Sequence, residues 1–150
     1  MTTATVGARE GGAAVVAARV LMAAIFLIAG TRKLMTYGAT LGYFAKLGIP
    51  LPDVVLPLTI ALEIGGGLLL VAGWRVKWVA GALALFTIAT AFAAHAFWSA
   101  DAAQFNAQLN NFLKNVAMVG GFLVLIVQAR ATGTAVSYTH LRAHETSLHL

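Results

Sequence analysis

The chain has 150 residues, 60% of them hydrophobic and 10% charged, with a mean hydropathy of +0.85 and a formal net charge of +5. Soluble domains carry about 25% charged residues, and a fold this small could not hide so much apolar surface from water. The basic residues are scattered near the ends of apolar runs, which excludes a nucleic-acid face and fits anchoring in a membrane. With no cysteine in the chain, disulfides, iron–sulfur ligation and thiol chemistry are excluded as well.

Residues 1–12 are small and polar, with Arg9 and Glu10 as their charges, and are expected to form a flexible N-terminus. Residues 13–30 are apolar except for Arg19. The run is longer than the 7–15 residues of a signal-peptide core and contains a charge, so a retained membrane helix is the expectation. Tyr37, Leu41, Phe44 and Leu47 then recur at helical spacing opposite Thr36, Thr40 and Lys46. They predict a short amphipathic helix at the membrane interface, stopped by Gly48-Ile49-Pro50-Leu51-Pro52.

Residues 54–73 are a second apolar run, about the 20 residues needed to cross a hydrocarbon core. Its eleven Val, Leu and Ile residues favour insertion by roughly 3 to 6 kcal/mol in total. In the middle stands Leu62-Glu63-Ile64-Gly65-Gly66-Gly67-Leu68, whose acid opposes insertion by about 3 kcal/mol. Insertion wins, but Glu63 needs a partner. Residues 79–98 are the third span, holding His95, Thr87 and Thr90; residues 99–111 are polar and rich in Asn and Gln. Residues 112–128 are the fourth span, with Lys114 and Asn115 at its entrance. Four spans with short connections imply an all-α membrane domain over residues 13–130, an up-down bundle with an interfacial segment between the first two spans. Cations are nearly balanced between the two sides; the tight basic turn at residues 74–78 favours both termini being cytoplasmic.

From Val136 the character changes to Val-Ser-Tyr-Thr-His-Leu-Arg-Ala-His-Glu-Thr. On a helix His140 and His144 would share a face and could bind a metal with Glu145 nearby; a disordered terminus is the plainer reading. The stronger reading is that residues 136–146 are a translated sequencing-library adaptor, an assembly artefact to be excluded like an expression tag. Residues 131–150 are therefore expected to be a non-native or disordered tail, the native C-terminus being truncated somewhere after Gly133. No metal site is expected.

Setting the tail aside, the polar groups in or beside the spans are Arg19, Lys33, Glu63, His95, Lys114 and Asn115. Counting ~1.5 Å per residue from the edges of the apolar runs puts Glu63 near the midplane and Arg19 about 6 Å from it along the membrane normal, within reach of an arginine. Arg19 is thus the expected partner of Glu63, with the other four near the surface shared by the first and third connections. Glu63 and His95 are the candidate catalytic groups. The plain alternative is an Arg–Glu pair holding helices in register, with Lys33 and Lys114 snorkelling to headgroups. Gly65, Gly66, Gly67, Gly120 and Gly121 are expected to permit close helix packing. They do not form a phosphate loop, for they lack the preceding strand and the terminal lysine.

The ordered set of Arg19; Phe26-Leu27-Ile28-Ala29-Gly30 with Lys33; Tyr43-Phe44; Gly48-Ile49-Pro50-Leu51-Pro52; Glu63-Ile64-Gly65-Gly66 with Gly73; His95-Ala96-Phe97-Trp98; and Phe112-Leu113-Lys114-Asn115 with Gly120-Gly121 resembles the DoxX family of small bacterial inner-membrane proteins. The resemblance implies a four-helix protein of the inner membrane, some of whose relatives are associated with thiosulfate:quinone oxidoreductase or with membrane-linked oxidoreductase and oxidative-stress complexes. Three functions stay open. The chain is an accessory or anchor subunit of a quinone-linked redox complex, working with a soluble oxidoreductase; or it oxidises a small sulfur compound itself with quinone as acceptor; or it is a small transporter with Glu63 as proton relay. Without cysteine and with one credible histidine, no cofactor held by Cys or His ligation is expected, so any electrons pass through a quinone, which the resemblance implies, or through a cofactor held by a partner. The lipid bilayer is the expected surrounding; a homo-oligomer stays open.

Overall fold

A computed structural model describes the backbone of residues 3–147 and the side chains of residues 12–130. The described residues form helices and no strand: α1 Thr3–Met35, α2 Tyr37–Lys46, α3 Pro52–Ala72, α4 Val76–Ala94 and α5 Phe105–Ser147, with a 3-10 turn at Phe97–Ser99. Four segments are long and apolar enough to cross a bilayer: Gly12–Met35, Pro52–Ala72, Val76–Ser99 and Phe105–Arg130. A bilayer core offers backbone groups no water, so helices that satisfy their own hydrogen bonds are the form such segments take. The four pack in a ring that follows chain order, α1 on α3, α3 on α4, α4 on α5 and α5 back on α1. The protein is an all-α, four-span up-down bundle.

The amphipathic spacing between the first two spans corresponds to α2. Its Phe44 is buried with Leu56 and Ile60 of α3, while Leu41 and Ile49 pack alongside. At the opposite end of the bundle a larger core gathers Ala23 and Phe26 of α1, Leu70 of α3, Leu83 of α4 and Phe122 and Leu125 of α5. There α3 ends at Gly73 with φ +74, a backbone that glycine adopts without a Cβ penalty. The Trp74 N–H donates back to the Leu69 carbonyl at 3.0 Å, satisfying a carbonyl that the helix end would leave open.

Three boundaries differ from those expected. First, α1 does not stop at Gly30 but continues through Arg32 and Lys33 to Met35. Second, α4 stops at Ala94, and His95 leaves the helix with φ −130. The chain then turns so that Phe97 and Trp98 meet Phe112 edge-on, at ring distances of 5.3 and 5.9 Å. Third, the Asn- and Gln-rich segment is not a loop: α5 begins at Phe105. Asp101 Oδ1 accepts the Gln104 N–H at 2.8 Å, and such a cap supplies an acceptor that the first turn lacks. The backbone of α1 is helical from Thr3 and that of α5 to Ser147; His140, His144 and Glu145 lie outside the described side chains.

Candidate functional site

Glycine sets how α1 meets α3. A Cβ at Gly30 would lie 2.7 Å from Ile64 Cγ1 and 3.1 Å from Glu63 Cβ, and one at Gly67 would lie 2.8 Å from Leu27 Cδ2. The two backbones therefore approach closely, with Gly30 level with Glu63. Lys33 lies three residues further along α1, on the same face, and its side chain reaches back to the carboxylate. Its Nζ donates to Glu63 Oε1 at 2.7 Å and to Oε2 at 2.9 Å. The carboxylate side chain is 5% exposed and the lysine 23%.

The expected Arg19–Glu63 pair is thus corrected: the neutralising cation is Lys33. The same register puts Arg19 level with Gly73, where its guanidinium lies against the glycine. That is ten residues of α3, or about 15 Å, beyond Glu63. Lys114 also leaves the expected cluster, for it is exposed on α5. The glycines divide similarly. Gly66 meets Leu83 and Gly121 meets Met22 at Cβ distances of 3.0 and 3.1 Å, whereas a Cβ at Gly65 or Gly120 would meet nothing within 4 Å.

Lys33, Glu63, His95 and Asn115 all line one cavity of about 650 Å³. It lies beneath α2, between the two apolar cores. Tyr43 and Phe44 of α2 and Ile49 and Pro50 of the following segment form one wall; Phe26, Ala29, Phe86 and Met118 contribute others. Phe26 closes the inner end, its ring 5.7 Å from that of Phe122 in the core. The volume is in the range of a site for a small organic molecule.

The polar groups on this cavity are not equally committed. Thr87 and Thr90 donate to backbone carbonyls of their own helix, Leu83 O at 2.7 Å and Thr87 O at 3.0 Å. His95 Nδ1 is 3.1 Å from Gln108 Oε1; since an amide oxygen only accepts, Nδ1 carries the proton and Nε2 is an acceptor. Asn115 is 9% exposed and Thr59 7%, and neither side chain has a hydrogen-bond partner among the described residues. Buried polar groups are ordinarily paired, so an amide and a hydroxyl facing a cavity unpaired are suited to a ligand. Among the described residues no group of three His, Asp or Glu could hold a metal ion.

Sequence reasoning did not single out Thr59 or Gln108. Thr59 precedes Glu63 by one helical turn and shares its face, a signal that was present in the spacing. Gln108 was hidden in a polar stretch that reads as a connection.

The DoxX family model matches residues 14–96, from α1 to the residue after His95. The chain is 31% identical over 110 residues to inner membrane protein YphA of Escherichia coli K12, covering 73% of this chain and 79% of that protein. It is 38% identical over 115 residues to inner membrane protein YqjF of the same organism, covering 75% of this chain and 82% of the relative. No solved structure matches significantly. A family match over more than half the chain, two inner-membrane relatives aligned over most of their length and four membrane-spanning helices lead to one identification: the chain is a multi-pass inner-membrane protein that belongs to the DoxX family.

Proposed function

We propose that the protein is an accessory subunit of a quinone-linked redox assembly, and that the cavity beneath α2 receives the quinone headgroup. The observation that carries this reading is Asn115, nine-tenths buried as a residue with its amide unpaired and open to an apolar-walled cavity that also holds the Lys33–Glu63 pair and His95. A quinone head is a flat ring with carbonyl acceptors on an apolar tail, and supplies two-electron, two-proton redox chemistry.

The residues present fit such a ligand. Asn115 has two N–H groups to offer, Thr59 a hydroxyl, and Lys33 the third ammonium proton that Glu63 does not take. Phe26, Tyr43, Phe44 and Phe86 provide an apolar, aromatic surround. Lys33 and Glu63 cancel each other's charge, so the cavity favours a neutral ligand over an anion. Glu63 and His95 are the groups able to hold or pass a proton. The chain has no cysteine, and His95 is the one histidine among the described side chains; electrons would come from a cofactor carried by a partner, which fits an accessory role.

The test is photolabelling of the purified protein, in lipid nanodiscs, with a photoreactive quinone analogue. Labelling should fall on α2 and α4 residues of the cavity, be competed by unmodified quinone, and drop about tenfold in Asn115→Leu, the effect of losing one or two hydrogen bonds to a neutral ligand. Labelling spread over the lipid-facing surfaces, or untouched by Asn115→Leu and by a cavity-filling Ala94→Phe, would sink the reading.

A further inference from the structure

Released from its expected role beside Glu63, Arg19 is a guanidinium with no acceptor among the described residues. Its Nε is buried without a hydrogen-bond partner, and the group lies against Gly73, where a Cβ would collide with it. The glycine is thus required twice, by the left-handed turn and by the arginine. The terminal nitrogens are not among the buried unpaired atoms, so a two-pronged donor is presented at the α3–α4 connection.

That connection has the marks of a headgroup boundary. Trp74 and Trp78 are 54% and 67% exposed, and tryptophan gathers where hydrocarbon gives way to water. The Arg75 guanidinium lies 5.1 Å from the Trp74 ring centroid and the Lys77 ammonium 4.8 Å from that of Trp78. The acids with described side chains, Asp53, Glu63 and Asp101, stand mid-bundle or at the opposite end. Three cations therefore share this corner with no described carboxylate.

We propose that Arg19, seated on Gly73 at the connection that also carries Arg75 and Lys77, binds the phosphate of an anionic phospholipid. A guanidinium matches phosphate oxygens in pairs, and the lipid phosphate sits at the depth the two tryptophans mark. The acyl chains would lie along the exposed apolar side chains of α1, including Leu21 and Ile25.

Native mass spectrometry of the full chain, after exchange into detergent with equal phosphatidylglycerol and phosphatidylcholine, tests this. The wild type should retain phosphatidylglycerol preferentially. Arg19→Gln should lose that preference about tenfold, as expected for a charge-assisted bond, while Lys46→Gln at the other end leaves it unchanged. Should Arg19→Gln fail to fold, the double variant Arg75→Gln/Lys77→Gln, at an exposed and a half-buried position, decides, with a several-fold loss expected. Equal retention of the two lipids, or an unchanged preference in whichever of these variants folds, overturns the proposal. Displacement of the lipid by inorganic phosphate at comparable concentration overturns the lipid source and assigns the corner to a soluble anion.

Discussion

Lys33 holds both oxygens of Glu63, at 2.7 and 2.9 Å, from a helix position one turn nearer the membrane surface than its partner. The two ends of this pair are not equivalent. Lys33 is partly exposed near the end of α1, whereas Glu63 is enclosed. A lysine left alone can straighten its stem towards the headgroups; a carboxylate left alone has nowhere to go. Lys33→Met is therefore expected to cost about 3 kcal/mol, in the range for stranding a buried charge, and Glu63→Gln about 1 kcal/mol. Replacing both with apolar residues should recover most of the larger loss. Unfolding in mixed micelles on titration with a denaturing detergent checks the order; equal costs for the two single variants would contradict it.

The close approach of α1 to α3 gives a second expectation. Gly30→Ala places a methyl group 2.7 Å from Ile64 Cγ1, which forces the helices apart at a cost of about 1–3 kcal/mol. It should also lengthen the reach from Lys33 to Glu63. Gly65→Ala meets nothing within 4 Å and lies inside a helix, so it should be neutral or stabilising by up to ~1 kcal/mol. The same micellar unfolding assay separates them, and a Gly65→Ala variant as damaged as Gly30→Ala would show the helix contact to be misassigned.

The membrane class, the four spans and α2 were all legible, because hydropathy and helical period survive without any tertiary contact. The partner of Glu63 was not. Hydropathy ends the first span where the charges Arg32 and Lys33 begin, yet α1 continues to Met35, and the depth estimate that favoured Arg19 took the apolar runs of α1 and α3 to share their borders. What sets the true register is Gly30 against Ile64, a contact between residues distant in sequence. The start of α5 was concealed for a related reason. Asn and Gln read as loop by composition, while the Asp101 cap that begins the helix acts through geometry. His95 and Asn115 could be named as candidates from their chemistry, but the cavity they share is a product of packing alone.

Gln108 orients His95. With Nδ1 donating to Gln108 Oε1, the neutral ring is held in one tautomer and Nε2 is left as an acceptor. Gln108→Leu removes the restraint and should yield a mixture of both tautomers, read from the nitrogen-15 shifts of the histidine ring. The His95 signals are assigned by their absence in His95→Asn. A wild-type protein already showing both tautomers equally would remove the orienting role. The cost of Gln108→Leu in stability should be small, about 1 kcal/mol for one part-buried hydrogen bond.

Asn115 should show stability and binding pulling in opposite directions. Asn115 is nine-tenths buried as a residue, and its amide opens onto the cavity with no partner among the described residues; holding a polar group there in place of an apolar one costs up to about 1–3 kcal/mol. Leucine has nearly the same size and no such cost, so Asn115→Leu is expected to leave the protein as stable as the wild type or raise its stability by ~1 kcal/mol. Natural proteins keep destabilising groups where function uses them. If the cavity works as proposed, the variant that gains stability is also the one that loses ligand about tenfold, the worth of a hydrogen bond or two. Asn115→Asp separates the hydrogen-bonding roles: an ionised carboxylate only accepts, so it should bind a carbonyl-bearing ligand no better than leucine does and unfold more readily. Binding retained in the aspartate variant would mean that the native amide accepts from the ligand instead of donating to it.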